Sequence, residues 1–277
     1  MKLDPHLASP ISITALIRII VKHYDLIFNL IKREIALRYR GSSLGIFWSF
    51  FNPILMLIVY TFVFSVIFKA RWVGGSDSKV EFALILFVGL MVFNLFSECI
   101  SRAPTLILSN VNYVKKVIFP LEVLPIVVLG TALFHFLISL FIWIIFYLVF
   151  IGLPHIEILL LPLILIPLLL FTLGLSWFLA SLGVYLRDMS QIIGIFVTLM
   201  MFLSAIFYPV SALPESLQPL MLLNPLTLII EQTRDIMIWG KGFNFSTWII
   251  QMLSSALVAW GGFIWFQKTR KGFADVL

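Results

Sequence analysis

Residues 123–154 read VLPIVVLGTALFHFLISLFIWIIFYLVFIGLP, and no Asp, Glu, Lys or Arg falls between Glu122 and Glu157. A helix rising about 1.5 Å per residue crosses the roughly 30 Å hydrocarbon layer in about 20 residues. No water lies at that depth to satisfy free N–H and C=O groups, so an uncharged run of this length spans as a helix. The rest of the chain agrees, with 61% hydrophobic residues, 12% charged residues and a mean hydropathy of +1.10. Soluble domains carry about 25% charged residues. The composition excludes a water-soluble fold and predicts an all-α integral membrane protein, a single transmembrane domain over residues 1–277.

Working outward from that run, five more stretches are uncharged for long enough to cross. The six expected transmembrane helices are 41–68, 82–101, 122–151, 158–186, 189–209 and 243–267, the second being short. Six crossings return both termini to one side. Of the 19 Lys and Arg residues, 14 fall on that side and 5 on the other. Positive residues stay in the cytoplasm, so both termini are expected there. Asp4, Pro5 and His6 precede any apolar run, which does not match a cleavable leader. One cysteine, Cys99, allows no internal disulfide.

Two segments depart from an up-and-down bundle. In 12–35, apolar Ile13, Leu16, Ile17, Ile20, Val21, Tyr24, Ile27, Phe28 and Ile31 follow a spacing of three and four, with Arg18, Lys22, Asp25, Lys32 and Arg33 opposite. That pattern predicts an amphipathic interfacial helix on the cytoplasmic face, the alternative being a soluble helix packed on a partner. In 213–239, the uncharged run from Glu215 to Glu231 is interrupted by Pro219 and Asn224-Pro225 and is too short to cross. Asn224 is a good N-cap and Pro225 suits a first turn, so a helix restarts there and runs toward Trp239. Two short re-entrant helices before the last span are expected, the alternative being a loop on the headgroups.

The chain contains no GxxxxGK[ST] and no HExxH motif, and His6, His23, His135 and His155 are far apart in sequence. No metal site, cofactor or nucleic-acid partner is expected. Energy for transport must then come from a partner or an ion gradient, and the spans hold almost none of the ionisable groups an ion relay uses. Glu98 can pair with Arg102 one turn later, and His135 is expected to be satisfied by a neighbouring helix. On the cytoplasmic side, 109–119 carries Asn110, Asn112, Tyr113, Lys115 and Lys116 between apolar turns. It reads as a coupling segment for an ATPase or as a plain positive-inside loop. Aromatics form 15% of the chain. Phe47 and Phe51, then Tyr60, Phe64 and Phe68, recur every four residues, and Phe196 and Phe207 share a face. These rings either line a conduit on which sugar slides or pack helices together.

Residues 33–53, REIALRYRGSSLGIFWSFFNP, resemble the signature region of ABC-2 type permeases that export polysaccharide, O-antigen exporters most closely and teichoic acid and capsule permeases somewhat less. Arg187-Asp188, Phe207-Tyr208-Pro209 and Leu223-Asn224-Pro225 resemble the same family. The resemblance implies a non-enzymatic permease working as a homodimer, with the channel between the two copies. Two separate ATP-binding subunits would bring ATP and Mg2+, and the substrate would be polysaccharide on undecaprenyl diphosphate. It places Arg38, Arg40, Leu44, Gly45, Trp48 and Asn52 at the cytoplasmic entrance. Tyr208 joins the channel lining, and Arg187 and Asp188 join the docking face. A permease for another lipid or drug, or a membrane-embedded polyprenyl-glycan transferase, remains the alternative.

Overall fold

A computed structural model describes residues 12–63, 72, 78–116 and 119–277. Among the described residues every regular element is helical. Two helices, α1 (Ile13–Lys22) and α2 (Tyr24–Arg38), precede α3 (Trp48–Tyr60), which starts on a 3-10 turn at Gly45–Phe47. Then come α4 (Lys79–Arg102), α5 (Val111–Lys116), α6 (Val123–Phe150), α7 (Leu161–Tyr185) and α8 (Met189–Leu203). The chain ends with α9 (Gln218–Leu222), α10 (Pro225–Met237), α11 (Phe245–Thr269) and α12 (Phe273–Val276).

Five stretches among the described residues are long and apolar enough to cross a membrane: Gly45–Val63, Lys79–Thr105, Val123–Phe150, Ile156–Tyr185 and Phe245–Val276. The expected crossing at 189–209 contains α8, whose 15 residues reach only about 22 Å against a layer of about 30 Å. The remaining stretch to Pro209 is not α-helical, and Ala205 takes a left-handed conformation at φ 51°. Of the expected first span 41–68, residues from Phe64 onward lie outside the described residues.

The stretch that reads as the shortest span is the central pillar. Every residue of α4 from Phe82 to Phe93 is buried, and α3, α6, α7, α8 and α10 all pack around it. Its charges sit at the ends: the Ser78 hydroxyl accepts from the Glu81 N–H, capping a helix that starts at Lys79. Counting only the uncharged core underestimates such a helix by a turn. By contrast α3 and α8 carry exposed Phe51, Leu55, Ile58, Ile192, Ile195 and Leu199 and turn that face away from the bundle.

α7 and α11 run side by side and parallel. A Cβ on Gly174 would come within 2.5 Å of the Val258 carbonyl, and one on Gly262 within 2.0 Å of the Gly174 carbonyl, so the two backbones touch there. Pro167 inside α7 has no N–H to give the Leu163 carbonyl four residues back. Trp248 of α11 supplies the missing donor, its Nε1 donating to that oxygen at 2.9 Å. Two more buried tryptophans bind neighbouring backbones: Trp143 Nε1 donates to Leu84 O at 3.2 Å, and Trp177 Nε1 to Glu122 O at 3.0 Å.

The amphipathic N-terminal segment bends at His23 and continues to Arg38. Its second half lies on protein: Ile27 and Leu30 are buried against Val123 and Val127 of α6. Ile31 nests over Gly130, where a Cβ would come within 2.3 Å of its Cδ1. Ile17, Val21, Tyr24 and Phe28 stay exposed.

At the opposite end, α10 is inserted against α4 and α7. Asn224 works in both directions: its Oδ1 accepts from the Leu226 N–H at 3.0 Å, while its Nδ2 donates to Leu203 O at 2.9 Å, where α8 stops. Below it Arg234, 1% exposed, donates to the carbonyls of Ala205 at 2.7 Å, Ile206 at 2.5 Å and Ile85 at 3.2 Å. The same guanidinium contacts Glu231 at 3.2 Å and lies 4.4 Å from the Trp72 ring centroid. Irregular backbone deep in a membrane protein needs donors supplied by protein, and Asn224 and Arg234 supply them.

Candidate functional site

At the arginine-rich end, α2, α3, α4 and α6 enclose a cavity of about 1010 Å³. Three polar stripes converge on it. α2 contributes Arg33, Glu34 and Arg38; α4 contributes Asn94, Glu98 and Arg102; α6 contributes His135 and Ser139. Residues four apart share a helical face, so an otherwise apolar helix can present one polar stripe and keep the rest for packing.

The stripes are joined by ions. The Arg38 guanidinium pairs with Glu98 Oε1, and Arg102 pairs with Glu34 while keeping Glu98 at 3.8 Å. His135 Nδ1 lies 3.0 Å from Glu98 Oε2 and 3.2 Å from Arg38 Nη1, and its Nε2 lies 3.1 Å from the Tyr39 hydroxyl. Arginine only donates, so Nδ1 cannot serve both neighbours. The consistent tautomer has Nδ1–H donating to Glu98 and Nε2 accepting from Tyr39, leaving Arg38 on the other carboxylate oxygen. Burial raises the Tyr39 hydroxyl above its ordinary value, which keeps it a neutral donor. Three guanidiniums thus face two carboxylates, and the cavity has a positive excess suited to an anion.

The expected entrance residues divide. Arg38 and Asn52 line the cavity, beside Ser49, Pro53 and Met56 of α3. Gly45, at φ 52°, lines a shallower apolar groove of about 470 Å³ with Lys32, Ile35, Ile46 and Phe134. Tyr39 forms the wall between groove and cavity. Arg40 and Leu44 lie on the exposed turn, and Trp48 is exposed at the start of α3.

The aromatic set also divides. Tyr60 lines the cavity, and its ring packs 6.1 Å from Phe207, which in turn lies 5.7 Å from Phe202. The Tyr208 hydroxyl donates to Phe202 O at 2.6 Å. Phe47, Phe51 and Phe196 are exposed, and Phe64 and Phe68 lie outside the described residues. In the coupling segment Asn112 is exposed, and Tyr113 stacks on Phe119 at 4.3 Å. The Lys115 and Lys116 side chains lie outside the described residues. Arg187 and Asp188 are exposed at the corner between α7 and α8, and α8 packs against the turn Ala103–Thr105.

Sequence reasoning found the Glu98–Arg102 proximity but not that Glu98 is shared by Arg38 and His135. The available signal was a lone carboxylate and a lone histidine in otherwise apolar spans. The stretch Gly41-Ser42-Ser43-Leu44-Gly45 also carries the G-x-S-x-G spacing of a hydrolase elbow. Here it is an exposed turn between helices, without the strand that leads into such an elbow, and Ser43 makes no hydrogen bond to a histidine among the described residues. Among the described residues no group of three or more His, Cys, Asp or Glu side chains is placed to hold a metal.

Comparison with known proteins gives one consistent match. The family described as ABC-2 type transporter matches residues 25–238. The O-antigen export system permease protein RfbA of Myxococcus xanthus is 30% identical over 262 residues, covering 94% of this chain and 98% of the relative. The protein of the same description from Klebsiella pneumoniae is 25% identical over 255 residues, covering 92% of this chain and 95% of the relative.

Proposed function

The chain belongs to the ABC-2 type transporter family, and on that premise we propose that it is the permease subunit of an exporter of lipid-linked polysaccharide of the O-antigen kind. It lies in the cytoplasmic membrane with both termini in the cytoplasm. Two copies enclose the channel, and two separate ATPase subunits bind ATP and Mg2+ and dock on the face carrying α5, Arg187 and Asp188. The chain contributes a path and an anion site and no hydrolytic chemistry of its own.

The observation that carries this reading is the cavity itself. A polymer on a diphosphate carrier needs cations for its phosphates close to where its lipid lies, and bidentate guanidiniums suit phosphate better than lysine does. Arg38 and Arg102 flank a cavity of mixed polar and apolar lining bordered by the interfacial helix, and the apolar groove across Tyr39 lies beside them. The names of the relatives support a polysaccharide substrate. Deletion of this chain from its host should make lipid-linked polymer accumulate inside the membrane, and the wild-type chain should restore export. Arg38→Gln together with Arg102→Gln should express and assemble yet leave the polymer inside. Normal surface polymer in that double variant would reject the anion site.

A further inference from the structure

The link between α4 and α6 is held at both ends by the α7–α11 pair and by the C-terminal tail. At its start, Ala103 and Pro104 are buried, and a Cβ on Gly183 of α7 would come within 1.9 Å of the Pro104 carbonyl. At its finish, Glu122 is 4% exposed. Its carboxylate accepts from Arg270 Nη1 at 2.8 Å, and its backbone carbonyl accepts from Trp177 at 3.0 Å. Arg270 is itself steadied by Gln267 at 3.0 Å.

Beyond Arg270 the tail folds back. Phe273 is fully buried, its ring 5.6 Å from Phe266 and 6.1 Å from Tyr185, and α12 packs against both α5 and α7. The Tyr185 hydroxyl donates to Thr269 O at 2.9 Å, and Ser181 and Thr269 share a hydrogen bond of 2.6 Å. On its other side the same link supplies Thr105, Ser109 and Asn110 to the cavity wall. α5 therefore sits between the arginine-rich cavity and the ends of two spans.

We propose that Arg270, Glu122 and the segment Phe273–Leu277 are positioning elements that hold α5 in the pose an ATPase subunit docks on, and that tie that docking to the cavity rim. The proposal rests on the exporter reading above, because it takes α5 as the docking element. A buried carboxylate is expensive without a partner, so it persists where its pairing sets geometry. Glu122 also stands at the N-terminus of α6, where its charge favours the helix dipole. A push on α5 thus reaches α11 through α12, which α5 touches, and the cavity through Ser109 and Asn110, while the Arg270–Glu122 pair fixes the finish of the same link to the end of α11.

The experiment uses the full permease–ATPase complex in sealed proteoliposomes, measuring affinity for the ATPase subunit and the ratio of ATP hydrolysed to polymer moved across the membrane. Arg270→Ala leaves the buried Glu122 carboxylate unpaired and is expected to lower the melting transition of the permease; well below that transition it should still weaken ATPase binding by about tenfold and raise the ATP cost per polymer. Arg270→Lys should recover most of both. A chain ending at Gly272 should reproduce the loss by a route that leaves the Arg270–Glu122 pair intact. If Arg270→Ala fails to fold, the shortened chain and Arg270→Lys carry the test. Wild-type binding and coupling in Arg270→Ala or in the chain ending at Gly272 would overturn the inference. A wild-type chain that binds no ATPase would instead remove the exporter reading beneath it.

Discussion

The two ends of the bundle both place arginine among apolar helices and stabilise it in opposite ways. Arg234 is 1% exposed and is answered chiefly by backbone, the carbonyls of Ala205, Ile206 and Ile85. Arg38 is 46% exposed on its side chain and is answered by another side chain, Glu98, which His135 also binds, across a cavity. Carbonyls are fixed by the fold, so the Arg234 cluster is part of the architecture and cannot be exchanged for a ligand. Carboxylates can rotate and be hydrated, so the Arg38 cluster can exchange partners. The first end is built to stay and the second to respond.

That difference is most open to challenge at Arg234. Arg234→Leu leaves the Ala205 and Ile206 carbonyls without that donor and Glu231 without its guanidinium, and should cost about 3–5 kcal/mol in a chemical unfolding measurement in detergent. Arg234→Lys should recover only part of this, because one ammonium cannot match the spread of the fork. A loss below about 1 kcal/mol would mean that the carbonyls find other donors.

Asn224 comes next. Asn224→Ala removes the N-cap of α10 and the donor to Leu203 O, and should cost about 1–2 kcal/mol in the same measurement. Asn224→Asp keeps the cap acceptor without the amide donor, so it should fall between alanine and wild type; equality with wild type would show that the Leu203 bond contributes nothing.

Glu98→Gln should move stability by about 1 kcal/mol or less, because Arg38 and Arg102 can turn to water in the cavity. A loss on the Arg234 scale would erase the distinction between the two ends. Tyr39→Phe removes one hydrogen bond to His135 and should shift stability by about 0.5–1.5 kcal/mol at most. Glu98 still accepts from Nδ1–H, so the tautomer is expected to hold and the change to show at the imidazole Nε2 resonance alone.

Much of this fold is legible because apolar length is a one-dimensional quantity. The run from Glu122 to Glu157 and the Asn224-Pro225 restart were each readable from neighbours in sequence. What was not readable depends on partners far along the chain. Nothing around Pro167 says that Trp248 will answer its orphaned carbonyl. Nothing in α4 alone says that Glu98 will be shared with residues 60 positions before it and 37 after it. Arg234 reads as one more charge on the less basic side, yet it is the most enclosed cation among the described residues. The shortest apparent span became the pillar because its terminal Lys79, Glu81 and Arg102 belong to the helix. The entrance residues were legible as a cationic stretch, but only folding shows that Arg38 turns inward while Arg40 stays on the exposed turn.

Ligand-induced stabilisation separates a responsive cavity from a structural one most directly. Purified permease in nanodiscs would be melted with and without added undecaprenyl diphosphate, as wild type and as the Arg38→Gln, Arg102→Gln double variant. The wild-type transition should rise with lipid concentration, as binding to the folded state requires, while the double variant melts at nearly the unliganded temperature and does not shift. An equal rise in both proteins would contradict an anion site at Arg38 and Arg102.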